Sequence, residues 1–486
     1  MSTALPPVTD AAAVTTWSDE FDVIVVGLGI AGGCAAVEAA AAGAKVLVLE
    51  RAAVAGGTSS MAGGHFYLGG GTAVQQATGH ADSAEEMAKY LTAVSRDPEP
   101  EKIAAYCERS VELFDWLEAL GFEFERSYYP EKAVIQPGTE GLMYTGNEKV
   151  WPFCERAKPA PRGHKVPVPG DTGGAGMVIE LLVERLAELG VEIRYETGAT
   201  GLVVEDGRVV GVAWKRFGKS GAIRARAVVL AAGGFVMNTE MVAEHVPQLA
   251  EKPFVLGSTY DDGLGIRLGQ SAGAATKHMD QAFVTCPIYP PAQLLTGIIV
   301  NAHGERFVAE DSYHSRTSGF VLDQPDAAAY LIVDEAHMER PEFPLAPFID
   351  GWETVAEMET ALGIPEGKLA ATLERYNTDA TQGGDPDFHK SAEFLAAQDA
   401  GPWAAFDLSL GKALYAGFTM GGLRTSVDAE VLRADGSVIG GLYAAGACAA
   451  NIAQDGKGYA SGTQLGEGAF FGRQAGRHAA DQRRPG

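Results

Sequence analysis

The sequence predicts an α/β protein in which a domain with a parallel β-sheet, flanking helices and a β-meander is interrupted by a second, α+β domain. An apolar strand runs directly into a glycine-rich turn and a helix pattern at 21–42. Loops and prolines then replace the alternating strand and helix patterns between 277 and 414, and short strands and a final helix pattern return afterwards. We therefore expect the first domain to comprise 18–276 and 415–486, with 277–414 inserted between them.

The composition excludes several classes of function. Lys and Arg number 38 against 63 Asp and Glu, which gives a formal net charge of −25 at pH 7. Such an acidic surface repels phosphate backbones, so no nucleic-acid partner is expected. No stretch is long and apolar enough to predict a membrane span. The five cysteines are scattered and form no C-x-x-C pair, which predicts a cytoplasmic protein without a metal site.

The first strand–helix–strand unit carries a nucleotide-binding pattern. Phe21–Val26 is typical of a buried parallel strand, and Gly27, Gly29 and Gly32 of a G-x-G-x-x-G follow it directly. A helix pattern comes next, and the following strand pattern ends in Glu50. The glycines permit a tight turn and close approach of a diphosphate, while the carboxylate suits ribose hydroxyls. The unit therefore predicts a Rossmann-type dinucleotide site.

The residues after Glu50 favour a flavin dinucleotide over a nicotinamide one. Ala55–Gly71 is rich in glycine and small hydroxyl residues, and we expect it to be a loop. Its G-G-T-S-S run offers backbone N–H groups and hydroxyls to a second anion or to a flavin edge. A second glycine cluster, Gly263–Gly269, has the spacing G-x-G-x-x-x-G and no buried strand before it, so it predicts a helix start. With one nucleotide pattern, we expect FAD and no separate NAD(P)H.

Further elements of the first domain follow from local patterns. Amphipathic helix patterns occupy 84–123, and another covers Met177–Leu189. Asp206-Gly207 between two β-branched runs predicts a hairpin of the meander. Ala227–Leu230 predicts another buried strand, and 463–480 predicts the last helix.

Taken in order, six motifs make the chain resemble the superfamily of FAD-dependent fumarate reductases and 3-ketosteroid dehydrogenases. They are VVGLGIAGGCAA, GGTSSMAGG, VVLAAGGF, NAHGERFVAED, FTMGG and GLYAAG, spread over nearly the whole chain. The resemblance implies that 277–414 is a catalytic cap over the flavin and that the turn at Gly462–Gly466 directs the last helix at it. It implies non-covalent FAD, because Gly57 stands where covalent members carry histidine. The positions that it assigns to the cofactor are Gly27, Gly29, Ala31, Gly32, Glu50, Arg51, Gly57, Thr58, Ser59, Gly63, Gly64, Val203, Ala232, Gly233, Gly446, Gln464 and Leu465.

Departures from the motifs favour one branch of this superfamily. In fumarate reductases a proton-delivering arginine follows the G-x-R-F-V-x-E motif by four residues, and here that position is His314, beside Tyr313. Δ1-ketosteroid dehydrogenases carry a tyrosine after this motif, and Tyr313 matches it. They also end with a Gly/Pro-rich segment, and the corresponding segment here, Gly458–Gly466, contains no proline. The chain is thus most similar to the 3-ketosteroid Δ4-(5α)-dehydrogenases, which make the 4,5 double bond. A Δ1-dehydrogenase and a fumarate-reductase-like alkene reductase are the alternatives.

The same resemblance implies roles for three residues in oxidising a 3-ketosteroid. FAD N5 would accept the hydride from C5, and an external acceptor would then reoxidise the flavin. Tyr459 would hydrogen-bond the C3 carbonyl, and Ser461, two residues on, would point the same way in an extended segment and take the C4 proton. Tyr313 would relay that proton outward, because a serine alone is a poor base. An alternative that stays open is that Tyr313 is itself the base.

Overall fold

Strands and helices alternate through residues 4–249 and 254–481, the parts of the chain that the computed structural model describes. The strands are β1 (Val8–Asp10), β2 (Trp17–Val26), β3 (Val46–Leu49), β4 (His65–Tyr67), β5 (Gly163–Lys165), β6 (Glu192–Arg194), β7 (Gly198–Glu205), β8 (Arg208–Arg216), β9 (Lys219–Leu230), β10 (Phe254–Val255), β11 (Thr276–Lys277), β12 (Ala282–Thr285), β13 (Ile298–Asn301), β14 (Ala329–Asp334), β15 (Phe348–Trp352), β16 (Trp403–Asp407), β17 (Ala416–Thr419), β18 (Gly422–Leu423), β19 (Glu430–Leu432) and β20 (Val438–Ala444). The α-helices are α1 (Ile30–Ala41), α2 (Gly57–Met61), α3 (Ala73–Ala77), α4 (Ala84–Val94), α5 (Pro100–Glu108), α6 (Ser110–Glu118), α7 (Phe153–Arg156), α8 (Ala175–Glu188), α9 (Thr239–His245), α10 (Leu264–Ser271), α11 (His314–Leu322), α12 (Val355–Leu362), α13 (Lys368–Thr381) and α14 (Thr463–Asp481). None of the helices in these two ranges is both long and apolar enough to cross a membrane.

The largest sheet confirms the predicted α/β class. Its parallel part has the order β6-β3-β2-β9-β20, which brings the ends of β3, β2 and β9 to one edge. The long strand β9 belongs to two layers, since Lys219–Arg224 pair antiparallel with β8 while Val228–Leu230 pair parallel with β20. Strands β7, β8 and the first half of β9 are the predicted meander. Asp206 and Gly207 both have positive φ in its first turn, as a tight hairpin requires.

The antiparallel sheet β13-β14-β16-β15 lies wholly within the predicted cap. Helices α12 and α13 cover it, and the apolar residues between them form a core separate from that of the first domain. Two smaller pairings join this region to the rest of the chain, because β12 pairs with β17 and β11 with β18. We propose that the cap extends over 277–414, with β11 and β12 at its border with the first domain.

Helices α1 and α14 pack together with their backbones in contact. A Cβ added at Gly472 would lie 2.4 Å from the carbonyl oxygen of Ala31, and one at Gly476 would lie 2.2 Å from that of Ala35. Any residue other than glycine would therefore push the helices apart. The contact joins the two segments of the first domain, because α1 follows the first glycine turn and α14 follows Gly462.

The expected loop over Ala55–Gly71 is wrong in two places, because it contains helix α2 and strand β4. Gly56 and Gly57 have φ of +112° and +51°, and this glycine turn starts α2 after a bend that other residues rarely adopt. Strand β4 pairs with β5, which comes from a distant part of the sequence. A pairing between such distant and short segments leaves no local periodicity to detect.

Candidate active site

The G-x-G-x-x-G turn lies against the end of β9 with no room for side chains. Gly27 has φ of +101°, and a Cβ there would lie 2.4 Å from the carbonyl oxygen of Ala231. A Cβ on Gly32 would lie 2.0 Å from the carbonyl oxygen of Gly27. Gly29 is the N-cap of α1 and has no side chain to cap its first N–H groups. These groups and the helix dipole make the turn suitable for an anion.

Glu50 fixes the end of strand β3 beside this turn. Its Oε2 accepts a hydrogen bond from the Leu28 N–H at 2.8 Å, and its Oε1 accepts one from the Ala52 N–H at 2.7 Å. The carboxylate is buried and held by backbone on both sides. Its oxygens keep further lone pairs, so the group can also accept from ribose hydroxyls.

Arg51 and Thr58 are tied to the segment that precedes α10. The Arg51 guanidinium donates to Asp262 Oδ2 at 2.8 Å, and the Thr58 hydroxyl donates to Asp261. Asp262 Oδ1 also accepts from the Leu264 N–H at 3.1 Å. The second glycine cluster thus opens a helix, as the sequence predicts, but the N-cap is Gly263 and Asp262 precedes it.

Val203 lies away from the other predicted cofactor contacts. It sits in the middle of β7, pairs with β1 and packs with Ala11 in a small separate core. The backbone bordering the Glu50 edge is the start of β7 instead, where the Thr197 N–H donates to the Glu50 carbonyl at 2.9 Å. The order of the strands in the sequence could have indicated that the residues before β7 border this edge. Strand β6 ends beside the end of β3, so the residues directly after β6 must start at the same edge of the sheet.

The turn before α14 presents unpartnered polar groups to an internal cavity. Gly446, Asn451, Gln464 and Glu467 line this cavity of about 300 Å³. Among the described residues, Asn451 Nδ2 and Gln464 Nε2 are buried without a hydrogen-bond partner. Gly462 has φ of +96°, and a Cβ there would lie 2.6 Å from the Tyr67 backbone nitrogen. Free donors beside a helix N-terminus are suited to polar atoms of a bound ligand.

The three residues predicted to be catalytic meet in one place. The hydroxyl oxygen of Tyr313 lies 2.6 Å from Ser461 Oγ. Tyr313 and Tyr459 share a buried apolar cluster with Phe283 and Met420, and the ring centroids of Tyr459 and Phe283 are 4.9 Å apart. The arrangement places three hydroxyl groups beside an apolar wall.

Burial raises the pKa of both Tyr313 and Tyr459 above that of an ordinary phenol. The hydrogen bond to Ser461 lowers the pKa of Tyr313 in part, and a hydrogen bond with the Gln464 backbone does the same for Tyr459. Both side chains are therefore protonated at neutral pH. A protonated phenol can donate to a carbonyl oxygen or transmit a proton along a hydrogen-bonded chain.

A cluster of buried charged side chains precedes α11 and Tyr313 in the chain. Arg306 donates to Glu310 at 2.8 and 2.9 Å and to Asp385 at 2.9 Å, and all three side chains are buried. The Tyr313 N–H donates to Asn147 Oδ1 at 2.9 Å, which fixes the backbone from the side of the first domain. Sequence reasoning misses Asn147, because it lies in an irregular stretch without a motif.

His314 is buried and neutral. Its Nδ1 lies 2.6 Å from Thr285 Oγ1, and its ring centroid lies 4.0 Å from that of Tyr313. Burial, with a smaller contribution from Lys132, lowers the pKa of His314 to about 3. At neutral pH this imidazole cannot supply the positive charge that an arginine would carry at the same position.

A cavity with about 660 Å³ of empty volume, part of it open to solvent, lies beside Tyr313 between the first domain and the proposed cap. Its lining includes Tyr144 and Tyr289, but also the charged groups of Lys132 and Glu148. Glu148 is buried and accepts from the Tyr67 hydroxyl at 3.0 Å and from the Gly146 N–H at 3.0 Å. The walls of this cavity include acidic as well as basic side chains.

Comparison with known proteins agrees with this geometry. The family model described as FAD binding domain matches residues 22–466. The chain belongs to this FAD-binding family. Its fold matches the crystal structure of 3-ketosteroid-Δ4-(5α)-dehydrogenase from Rhodococcus jostii RHA1 in complex with 4-androstene-3,17-dione, with a TM-score of 0.92 and 43% identity over 99% of this chain and 100% of that chain.

Curated relatives in this FAD-binding family include reductases and dehydrogenases. A fumarate reductase (cytochrome) from Shewanella frigidimarina is 30% identical over 498 residues, which is 97% of this chain and 79% of the relative. A 3-oxosteroid 1-dehydrogenase from Mycolicibacterium smegmatis is 28% identical over 536 residues, which is 88% of this chain and 91% of the relative. The protein is an FAD-dependent oxidoreductase of the steroid dehydrogenase and fumarate reductase family.

The residues present in this FAD-binding protein fit the cofactor. The crowded glycine turn at Gly27–Gly32 would hold the diphosphate at the N-terminus of α1. Glu50 would hold the adenosine ribose, and the unpartnered amide of Gln464 with the backbone at Gly446 would face the flavin half. The two halves of this site come from opposite ends of the chain and meet through the contact between α1 and α14.

Proposed function

We propose that the protein is a 3-ketosteroid Δ4-(5α)-dehydrogenase, which introduces the 4,5 double bond into 3-keto-5α-steroids. The observation that carries the proposal is the 2.6 Å contact between the Tyr313 and Ser461 hydroxyls, beside Tyr459 and an apolar wall. The 43% identity to the R. jostii enzyme, whose structure contains 4-androstene-3,17-dione, supports the choice of the 4,5 bond. The substrate is thus a 3-ketosteroid, and an external acceptor takes the electrons.

Tyr459 acts on the C3 carbonyl. Its phenol, protonated because burial raises its pKa, donates a hydrogen bond to the carbonyl oxygen. This stabilises the enolate that develops when the C4 proton leaves. The packing of Tyr459 against Phe283 fixes the ring, so that the donor is in place before the reaction begins.

Ser461 and Tyr313 remove the C4 proton together. Ser461 Oγ takes the proton from C4 as its own hydroxyl proton passes to the Tyr313 oxygen. Tyr313 in turn releases its proton toward water in the cavity that it lines. Because a serine alone is a poor base, this relay gives the C4 proton a path through Tyr313 to solvent. FAD, when bound, accepts the hydride from C5 and so completes the oxidation.

We infer that FAD is held without a covalent bond. Gly57 stands at the position where covalent relatives carry histidine. The nearby His65 is buried, and its Nε2 lies 2.8 Å from Gln136 Oε1. Burial lowers the pKa of His65 to about 4, so the ring is a neutral, hydrogen-bonded part of the wall.

Reduction of an activated alkene is the second candidate, since a fumarate reductase is 30% identical. The neutral and buried His314 disfavours it, because reduction of a dicarboxylate calls for cationic groups around the substrate. Oxidation of the 1,2 bond of a 3-ketosteroid is a closer variant, supported by the 28% identity to a 3-oxosteroid 1-dehydrogenase.

The test is an anaerobic titration of the purified flavoprotein with 5α-androstane-3,17-dione. Bleaching of the flavin absorbance and a 4-ene product, identified by mass spectrometry and NMR, are the expected results. A 1-ene product would move the chemistry to the neighbouring bond and overturn the assignment of Ser461. The reductase candidate replaces the proposal if two results are found together. The steroid leaves the bound flavin oxidised, and fumarate reoxidises flavin that has first been reduced with a dye.

A further inference from the structure

One face of the sheet β10-β17-β12 continues the apolar wall of the proposed active site. Strands β12 and β17 are antiparallel, with Phe283 opposite Phe418. On the other side of β17, the Leu256 N–H donates to the Gly417 carbonyl at 2.9 Å, which continues the parallel pairing of β10. Leu256, Phe418 and Phe283 therefore form one row across the sheet, and this row packs with Tyr459.

Alternate residues on the same strands belong to the opposite face. Val255 and Tyr415 pack in a large core that does not include Tyr459, whereas their neighbours Leu256 and Phe418 pack with Tyr459. Since side chains alternate along a strand, Phe254, which pairs with Ala416, lies on the same face as Leu256 and Phe418. Leu414 precedes β17, and we place it on this face because Tyr415 after it packs in the large core. Ala413, on the other side of Leu414, also packs in that large core, which agrees with this assignment.

The shared face is buried at one end and exposed at the other. Phe283 is 5% exposed, whereas Phe254 is 62% and Leu414 47% exposed. Between these ends lie Ala416, which is half-buried, and opposite it Thr285, which is buried and bonded to His314. Exposed large apolar residues that extend a buried apolar face indicate a binding surface more strongly than isolated ones do.

The dimensions and chemistry of this face fit the distal half of a steroid. From Phe418 to Leu414 is four residues, or about 13 Å along a strand, which is comparable to the length of a fused four-ring nucleus. The other space beside Tyr313 is the 660 Å³ cavity, whose walls include Lys132 and Glu148. An apolar ring system would leave such charged groups poorly solvated, whereas the part of the sheet face formed by β10, β17 and Leu414 offers it apolar side chains.

We propose that Phe254 and Leu414 form the outer part of the substrate site and contact the D ring and the C17 substituent of a steroid whose A ring lies at Tyr459. These two residues then select among steroids by what they carry at C17. The proposal rests on the proposed function, because it assumes that the substrate is a 3-ketosteroid with its carbonyl at Tyr459.

The test compares Phe254→Ser and Leu414→Ser with a matched control, Phe217→Ser. Phe217 is 75% exposed and lies in the turn between β8 and β9, so the control removes an exposed aromatic ring elsewhere. With 5α-androstane-3,17-dione, each of the two variants is expected to raise KM about tenfold, while kcat changes less than threefold. In both variants, kcat/KM should fall further below the wild-type value for a 3-ketosteroid with an apolar C17 side chain than for the 17-ketone. The control should keep the wild-type KM, and all variants should bind wild-type amounts of FAD.

Two outcomes overturn the proposal. The first is an unchanged KM for both substrates in Phe254→Ser and Leu414→Ser. The second is an increase in KM confined to Tyr144→Ser, which would place the rings in the cavity beside Tyr313. Failure of the proposed function gives a different result, in which the wild-type protein oxidises no 3-ketosteroid. Binding of radiolabelled 4-androstene-3,17-dione, measured by equilibrium dialysis, then still reports whether Phe254 and Leu414 contact a steroid.

Discussion

The hydroxyl oxygens of Tyr313 and Ser461 lie 2.6 Å apart, although 148 residues separate them in the sequence. Tyr313 lies in the proposed cap, directly before α11, whereas Ser461 lies in the turn before α14. Their hydrogen bond therefore forms only when the cap lies against the first domain. A site divided in this way would couple the position of the proposed cap to the proton relay that we propose.

Removing either hydroxyl of this pair should cost nearly as much as removing both. Tyr313→Phe and Ser461→Ala are each expected to lower kcat about 10²–10⁴-fold, because each breaks the path of the C4 proton. Residues that act as a unit give non-additive losses, so the double variant should be little worse than the poorer single variant. Rates of product formation, normalised to bound FAD, measure this. Losses that multiply would show that the two residues act independently.

Tyr459→Phe should impair chemistry while leaving the fold intact. The variant keeps the ring that packs against Phe283 but loses the donor to the C3 carbonyl, so flavin reduction should slow about 10²–10³-fold. Stopped-flow reduction by the steroid is the measurement. The control is Tyr415→Phe, which removes another buried hydroxyl, bonded to the Leu408 carbonyl, and should affect stability rather than rate. Full turnover by Tyr459→Phe would contradict its role.

Gly472→Ala should reduce both stability and FAD content. Its Cβ would lie 2.4 Å from the Ala31 carbonyl oxygen, so α14 must move away from α1 and from the glycine turn. Overpacking of this kind typically costs about 1–3 kcal/mol. Gly384→Ala is the matched control, because nothing lies within 4 Å of its added Cβ. Thermal unfolding and the flavin-to-protein absorbance ratio measure the effect, and equal values for both variants would argue against a tight helix contact.

Glu467 should make the stability of the protein depend on pH. Burial raises the pKa of this carboxyl from 4.5 to about 8, so the folded protein holds its proton more tightly than the unfolded chain does. Its contribution to stability is therefore fully present below about pH 4.5 and is lost as the pH rises toward 8. Glu467→Gln keeps an acceptor for the Ile452 N–H but does not titrate. The difference in melting temperature between this variant and the wild type should therefore increase between about pH 5 and pH 8, because only the wild type loses this contribution. A tenfold difference in proton affinity between the folded and the unfolded chain corresponds to about 1.4 kcal/mol. A constant difference across this range would exclude the effect.

Acid precipitation should release the flavin. Because Gly57 offers no side chain for a covalent link and His65 is bonded to Gln136, the supernatant is expected to be yellow and the protein pellet colourless. Mass spectrometry of the intact protein should give the mass of the polypeptide alone. A pellet that retains the flavin would show a covalent link and would direct attention to other side chains along the flavin.

Local sequence patterns account for much of the first domain and for less of the site. The strand, glycine turn and helix at 21–41, the Asp206-Gly207 hairpin and helix α14 each have a periodicity or turn signal within a few residues. The pairing of β4 with β5 and the bond from the Tyr313 N–H to Asn147 join distant segments, and no single stretch encodes them. The position of Val203 likewise depends on distant pairing, since the register of β7 against its neighbours decides which of its residues lies nearest the Glu50 edge.

The glycine contacts between α1 and α14 affect when the protein can acquire its cofactor. Helix α1 and its turn leave the ribosome early, whereas α14 is the last helix described and emerges after the whole cap has been made. Until α14 has been made, Ala31 and Ala35 have no helix to pack against. The glycine turn at Gly27–Gly32 is then also without Gln464, which we propose to contact the flavin. The cap has its own apolar core and can begin to fold during this interval. We therefore expect flavin loading to be a late event in biosynthesis, with no flavin bound to a chain that is released before α14 is complete.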